Sequence, residues 1–379
     1  MVFNVLLFAV GLVMLVRGGD WFVDSASGIA RRFHLPELLI GATVVSIGTT
    51  LPEVMVSAQG AMTGSGGMAY GNAVGSIICN TSLIAALTIA IKPGKVDRKS
   101  MLLPVSFFFG VAVFYMAVAY WMGEFTRLVG IVLLALFVSY MAATLLSMKK
   151  DFHELSVVYE FEQDQEEERP FSWKELIVEA IVILIGAAFM FYKGSIIRII
   201  GIVMLAVFAV YAVLRVVARK RSASMLREIF FLVIGAAVIA GGANLLVDSG
   251  TAIAEELGVP DTVIALTFVA LGTSLPELVT AVTSLVKGHG ALSLGNIIGA
   301  NLFNLVLVGG IATAISPFGV PSESTIGGIP ASLVLDLPVM LGVMLLMTVP
   351  ALIRGKLSRA QGIALLCVYA AFCTIQFVM

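Results

Sequence analysis

The chain has 379 residues, 59% hydrophobic and only 12% charged, with a mean hydropathy of +1.04, whereas a water-soluble domain carries about 25% charged residues. Lipid is therefore the expected solvent, and a soluble catalytic domain is excluded. The formal charge of −1 gives no electrostatic footprint for a nucleic-acid partner, and Cys79, Cys367 and Cys373 lie in apolar runs, as packing residues rather than a disulfide framework.

Apolar stretches able to cross ~30 Å of hydrocarbon are predicted near residues 2–28, 36–62, 68–91, 101–122, 126–148, 174–192, 195–218, 228–254, 260–286, 290–315, 328–352 and 357–378, twelve candidate helices. The first lacks the basic leader of a signal peptide and has a counterpart later in the chain, so it reads as a transmembrane helix. Gly64-Ser65-Gly66-Gly67 and Gly288-His289-Gly290 follow no strand and precede no P-loop Lys-Ser/Thr, so they read as turns. The polar stretch Asp151–Arg169 reads as a solvated acidic linker, because it lacks the alternating Asp/Asn ligands and central Gly of an EF-hand. With the N-terminus outside, nineteen Lys and Arg fall in inward segments and three in outward ones. That bias predicts both termini outside a plasma or inner membrane.

Shifting the sequence by 224 residues aligns Gly18–Asn80 with Gly242–Asn304 without a gap, 21 of 63 positions being identical. Seven predicted helices separate the two starts, so the copies enter the membrane from opposite faces. Arg31-Arg32 in one copy match Glu255-Glu256 in the other, as opposite sidedness requires. The predicted fold is an all-α polytopic membrane protein of inverted repeats. Its first repeat, of five helices, is 1–149 (core about 36–91), followed by an acidic cytoplasmic loop at 150–173, an extra hairpin at 174–221 and the second repeat, again of five helices, at 222–379 (core about 260–315). The hairpin reads as peripheral packing.

Carboxylates at a helix centre cost ~2.5–3.5 kcal/mol on insertion scales, so they face cavities and mark function. Glu53 and Glu277 are repeat-related, mid-span, and each follows a proline, Pro52 or Pro276, which cannot donate to the carbonyl four residues back. Thr49 with Glu53, and Thr273 with Glu277, are i,i+4 on one helical face. Asn72, Ser76 and Asn80 make a second polar stripe, matched by Asn296 and Asn304 with Ala300 between them. Two glutamates, the asparagines and loosened backbone supply the roughly 6–8 oxygens that calcium takes, and their −2 charge balances one Ca²⁺. Zinc or copper would need His or Cys, and His34, His153 and His289 fall in predicted loops with no ligand role.

The paired Gly-Thr-Thr/Ser-Leu-Pro-Glu and Gly-Asn-x-x-Gly-Ser/Ala segments resemble the α-repeats of the cation/calcium exchanger superfamily, in its sodium/calcium branch. The resemblance implies alternating-access exchange of Ca²⁺ for several Na⁺, with no cofactor and with the lipid bilayer and the two ions as the only partners. It implies as ligands Glu53 and Glu277, the hydroxyls or carbonyls of Thr49, Thr50, Thr273 and Ser274, then Ser76, Asn80 and the carbonyls of Ser46 and Ala270, with the helices at 2–28 and 228–254 sliding as gates. Two positions depart from that pattern: Ala300 and Asn304 stand where the second repeat often has Ser and Asp, removing a hydroxyl and a charge and setting three-sodium stoichiometry and potassium co-transport aside. The nearest alternative is H⁺/Ca²⁺ exchange on the same glutamate pair; a passive channel and a non-transporting scaffold are further ones.

Overall fold

The computed structural model describes residues 2–32, 35–62, 64, 66–156, 225–256, 272–322 and 325–378. Met1–Glu154 with Phe231–Met379 form one compact unit, and Leu155–Phe230 a second, of which only the two ends are among the described residues. The expected hairpin at 174–221, most of the acidic loop, His34 and Ala270 lie outside them.

Helix α1 spans Val2–Arg32 and α2 Glu37–Met62, the latter with a π-helical turn at Gly41–Val45. Helix α3 runs through Gly66–Cys79, a π turn at Asn80–Ala85 and Ala86–Ile91. Then come α4 (Arg98–Met122), α5 (Arg127–Ser156), α6 (Met225–Glu256), α7 (Leu275–Val286), α8 (Gly290–Ile315, with a π turn at Asn304–Val308), α9 (Ser332–Arg354) and α10 (Arg359–Val378). Among the described residues nine helices are long and apolar enough to cross a membrane, α7 being the shorter tenth. Of the twelve expected helices, those at 174–192 and 195–218 lie outside the described residues, and that at 260–286 is described only from residue 272. Exposed apolar side chains such as Trp121, 86% exposed, lie on the outside of this helical body, where a lipid solvent leaves them at no cost.

Local chemistry sets the ends. Asp97 caps α4 by accepting from the backbone N–H groups of Lys99 and Ser100. Gly123 and Gly355, with φ of 69° and 66°, take the left-handed conformation that closes α4 and α9. Helix α5 runs on to Ser156, so His153 is helical rather than in a loop: no Gly or Pro stops the chain after residue 148.

The pseudo-symmetry read from the sequence recurs in contacts exchanged between the halves. The Arg127 guanidinium, opening α5, donates to the carbonyls of Ala314 and Ile315 at the end of α8, at 3.0 and 3.3 Å. Arg359, opening α10, does the same to Ala90 and Ile91 at the end of α3, at 2.9 and 3.4 Å. Ala90 and Ala314 are equivalent under the 224-residue shift. Gly130 rests on the backbone of Gly310 and Ala314, and Gly362 on that of Ala86 and Ala90. Helices α1 and α6 cross in backbone contact where Gly11 meets Gly242 and Gly18 meets Gly235. The pairs occur in reverse order, so the two equivalent helices run antiparallel.

Helix α8 is the pillar of the interior, every side chain from Leu292 to Phe303 being buried. Helix α2 crosses it at backbone contact: a Cβ on Gly295 would overlap the Leu38 carbonyl, and one on Gly299 would overlap Ser46 and Ala42. The π turn in α2 leaves the Ala42 carbonyl accepting from the Tyr140 hydroxyl of α5 at 2.9 Å.

Candidate cation site

Four helices, α2, α3, α7 and α8, converge on one polar centre. Helix α2 carries Glu53 past Pro52, which lies inside the helix, whereas α7 starts only at Leu275 with Pro276 in its first turn, so Glu277 sits at a helix N-terminus. Both carboxylates are fully buried, at 0% exposure, and close enough to sense each other's charge. Among the described residues no hydrogen-bond donor meets any of their four oxygens. A buried anion in that state is costly unless a cation neutralises it.

The other buried oxygens agree. Asn80 and Asn304 are wholly buried, both polar atoms of each amide lack a partner among the described residues, and each opens a π turn at the equivalent place in its half. A π turn leaves backbone carbonyls outside the regular ladder, a feature frequent at functional sites. Thr50 and Ser274 add two buried hydroxyls without hydrogen-bond partners among the described residues. Ser76 is buried on α3, one turn before Asn80.

The remaining expected ligands are arranged differently. Thr49 is buried and donates to the Asn296 side-chain oxygen at 3.1 Å, while the Ser46 hydroxyl lies 2.7 Å from the Gly41 carbonyl and 2.9 Å from that of Asn296. Both hydroxyls tie α2 to α8. Asn72 donates to the Glu53 carbonyl at 3.1 Å and to Ser57 at 2.8 Å, holding α3 against α2. Thr273 stands in a turn and is only partly buried, so the expected i,i+4 face shared with Glu277 does not form: Pro276 starts a new helix after it rather than continuing one.

Two groups escaped the sequence reading. Thr280 and Ser284 lie on the Glu277 face of α7, fully buried and with hydroxyls lacking partners among the described residues. Their i+3 and i+7 spacing from Glu277 was the available signal. On the far side of α8, Asn301 donates to Thr81 at 2.7 Å and to the Met344 sulfur at 3.2 Å, a polar knot in helix packing. His289 lies 2.7 Å from Glu37, away from the carboxylate pair. Among the described residues no cluster of three or more His, Cys, Asp or Glu occurs. The donor set is oxygen only, with two charges, which suits hard cations such as Ca²⁺ and Na⁺ and not a soft metal.

Known proteins share this architecture. The family model described as sodium/calcium exchanger protein matches residues 3–146 and 228–378. The sodium/calcium exchanger MaX1 of Methanosarcina acetivorans is 30% identical over 375 residues, covering 99% of this chain and 98% of that protein. The inner membrane protein YrbG of Escherichia coli is 30% identical over 311 residues, 82% of this chain and 79% of that one. A solved structure of the sodium-calcium exchanger NCX_Mj, soaked with Na⁺ and Sr²⁺, superposes with a TM-score of 0.68 at 28% identity, covering 98% of this chain and 97% of that chain.

Proposed function

This chain belongs to the sodium/calcium exchanger family of transporters, and from that membership we propose that it is an antiporter exchanging Ca²⁺ for Na⁺ by alternating access at Glu53 and Glu277. The observation that carries the reading is the pair of fully buried carboxylates whose four oxygens receive no donor among the described residues. Two unneutralised carboxylates in a dry core repel each other and are expensive to desolvate. One Ca²⁺ or two Na⁺ restores neutrality, so the protein can reorient loaded with either and not bare, which is what couples the two fluxes.

Glu53 and Glu277 would share the calcium, with the amide oxygens of Asn80 and Asn304, the hydroxyls of Thr50 and Ser274 and nearby backbone carbonyls completing its shell. Ser76, Thr273 and the carbonyls of Ser46, Thr49 and Ala270 complete the proposed ligand set. The antiparallel pair α1 and α6 would slide over these helices as the gate, in a multi-pass protein of the plasma or inner membrane with both termini outside.

The test is ⁴⁵Ca²⁺ uptake into proteoliposomes driven by an outward Na⁺ gradient and, separately, an outward H⁺ gradient, beside Glu53→Gln and Glu277→Gln. Uptake driven by Na⁺ and reduced at least ~100-fold by either substitution, as loss of a buried charged ligand implies, is the expected outcome. Uptake driven by H⁺ alone would replace Na⁺ as the coupling ion, and gradient-independent flux would make the protein a channel.

A further inference from the structure

Hydroxyls buried in apolar helices ordinarily donate to the carbonyl four residues back. In this molecule the buried Ser82, Thr144 and Thr348 do so, as do the exposed Ser106 and Ser139. Thr280 and Ser284 do not: both are fully buried on α7, one and two turns beyond Glu277, and neither hydroxyl has a partner among the described residues. Residues 277, 280 and 284 fall within one narrow sector of a helix, so a carboxylate and two unsatisfied hydroxyls form a single file. Ser27 and Thr313 are likewise fully buried without a hydrogen bond, and what sets Thr280 and Ser284 apart is that they share a helical face with the Glu277 carboxylate.

The file leads to a charged cluster. At the end of α7 the Lys287 ammonium lies 3.0 Å from an Asp20 carboxylate oxygen, 2.8 Å from one of Asp24 and 3.3 Å from the Asp20 carbonyl, all on α1. One lysine against two aspartates leaves a net −1 there, which attracts cations to that end. Gly19 lets α1 close on this stretch, since a Cβ there would stand 2.8 Å from Val279 and 2.9 Å from Thr283. The equivalent positions of the first half are Val56 and Gly60, with Thr63 opposite Lys287 and Asn244 opposite Asp20. The polar file thus belongs to one half alone.

We propose that Thr280 and Ser284, with one oxygen of Glu277, form a transit subsite for a small monovalent alkali cation, Na⁺ in this exchanger, on the side of the molecule closed by Lys287, Asp20 and Asp24. Charge selects the ion: the subsite shares one carboxylate and otherwise offers neutral hydroxyls, which balances a single positive charge, while Ca²⁺ needs both glutamates. The inference rests on the exchange reading, and it adds that Na⁺ reaches or leaves the pair through a one-sided waiting position.

Thr280→Val and Ser284→Ala remove the oxygens with little change of shape, and Ser139→Ala, a back-bonded hydroxyl on α5, serves as control. In the reconstituted full chain, ⁴⁵Ca²⁺ exchange is measured against Na⁺ concentration varied at each face separately, with equilibrium ⁴⁵Ca²⁺ binding in parallel. The expected result is a roughly threefold to tenfold rise in half-activating Na⁺ at one face for Thr280→Val and Ser284→Ala, with Ca²⁺ binding and the control unchanged. Unchanged Na⁺ dependence at both faces, or equal losses at both faces together with lost Ca²⁺ binding, overturns the subsite. Wild-type exchange indifferent to Na⁺ overturns the exchange reading instead, and the subsite with it.

Discussion

At the scale of single residues, the proposed site makes Asn304 the position that limits how many charges can be held. With Asn80 and Asn304 both neutral, the carboxylate charge is −2, and two Na⁺ balance it; Asn304→Asp raises it to −3 and makes room for a third. The Hill coefficient for Na⁺ in ⁴⁵Ca²⁺ exchange should therefore rise in that variant, and an unchanged coefficient would mean that the residue-304 side chain does not face the ions. The glutamate pair was legible in the sequence because duplication and membrane cost both single it out. The division of labour around it was not. Thr49 looks like a ligand from spacing, yet its hydroxyl is taken by Asn296, 247 residues away, and a partner that remote leaves no local trace.

At the scale of helices, glycine spacing sets the approach of the two long helices. A Cβ at Gly18 would lie 3.0 Å from Ile239 and 3.1 Å from the Gly235 carbonyl. Gly18→Leu should force α1 from α6 and cost about 1–3 kcal/mol, read as a lower melting temperature in detergent together with reduced uptake. Gly110→Ala on α4, where nothing lies within 4 Å, should be neutral or stabilising by up to ~1 kcal/mol; a loss there as large as at position 18 would contradict the packing account. Hydrophobic length located the helices to within a few residues. Their interruptions escaped it: the start of α7 at Leu275 and the π turns at Asn80 and Asn304 change which backbone groups are free without changing composition.

At the scale of the whole molecule, the halves hold each other by exchanged contacts, each arginine capping a helix of the opposite half. Arg127→Met and Arg359→Met should each destabilise the protein by about 1 kcal/mol and by similar amounts, and the double variant should lose close to the sum, because the two caps share no partner. Unequal costs in a denaturant titration would show that the symmetry of the contacts does not extend to their energies. By itself the sequence determined the solvent, the number of copies of the repeat, their opposed orientation and the two carboxylates, since hydropathy, internal identity and the cost of buried charge are all properties of the chain read residue by residue. Only the tertiary structure decided which hydroxyls are bound and which are free, that Glu277 starts a helix while Glu53 lies within one, and that a polar file runs down α7 alone. Those outcomes depend on which remote backbone atom a glycine lets come close, and that distance is fixed by packing rather than by any local pattern.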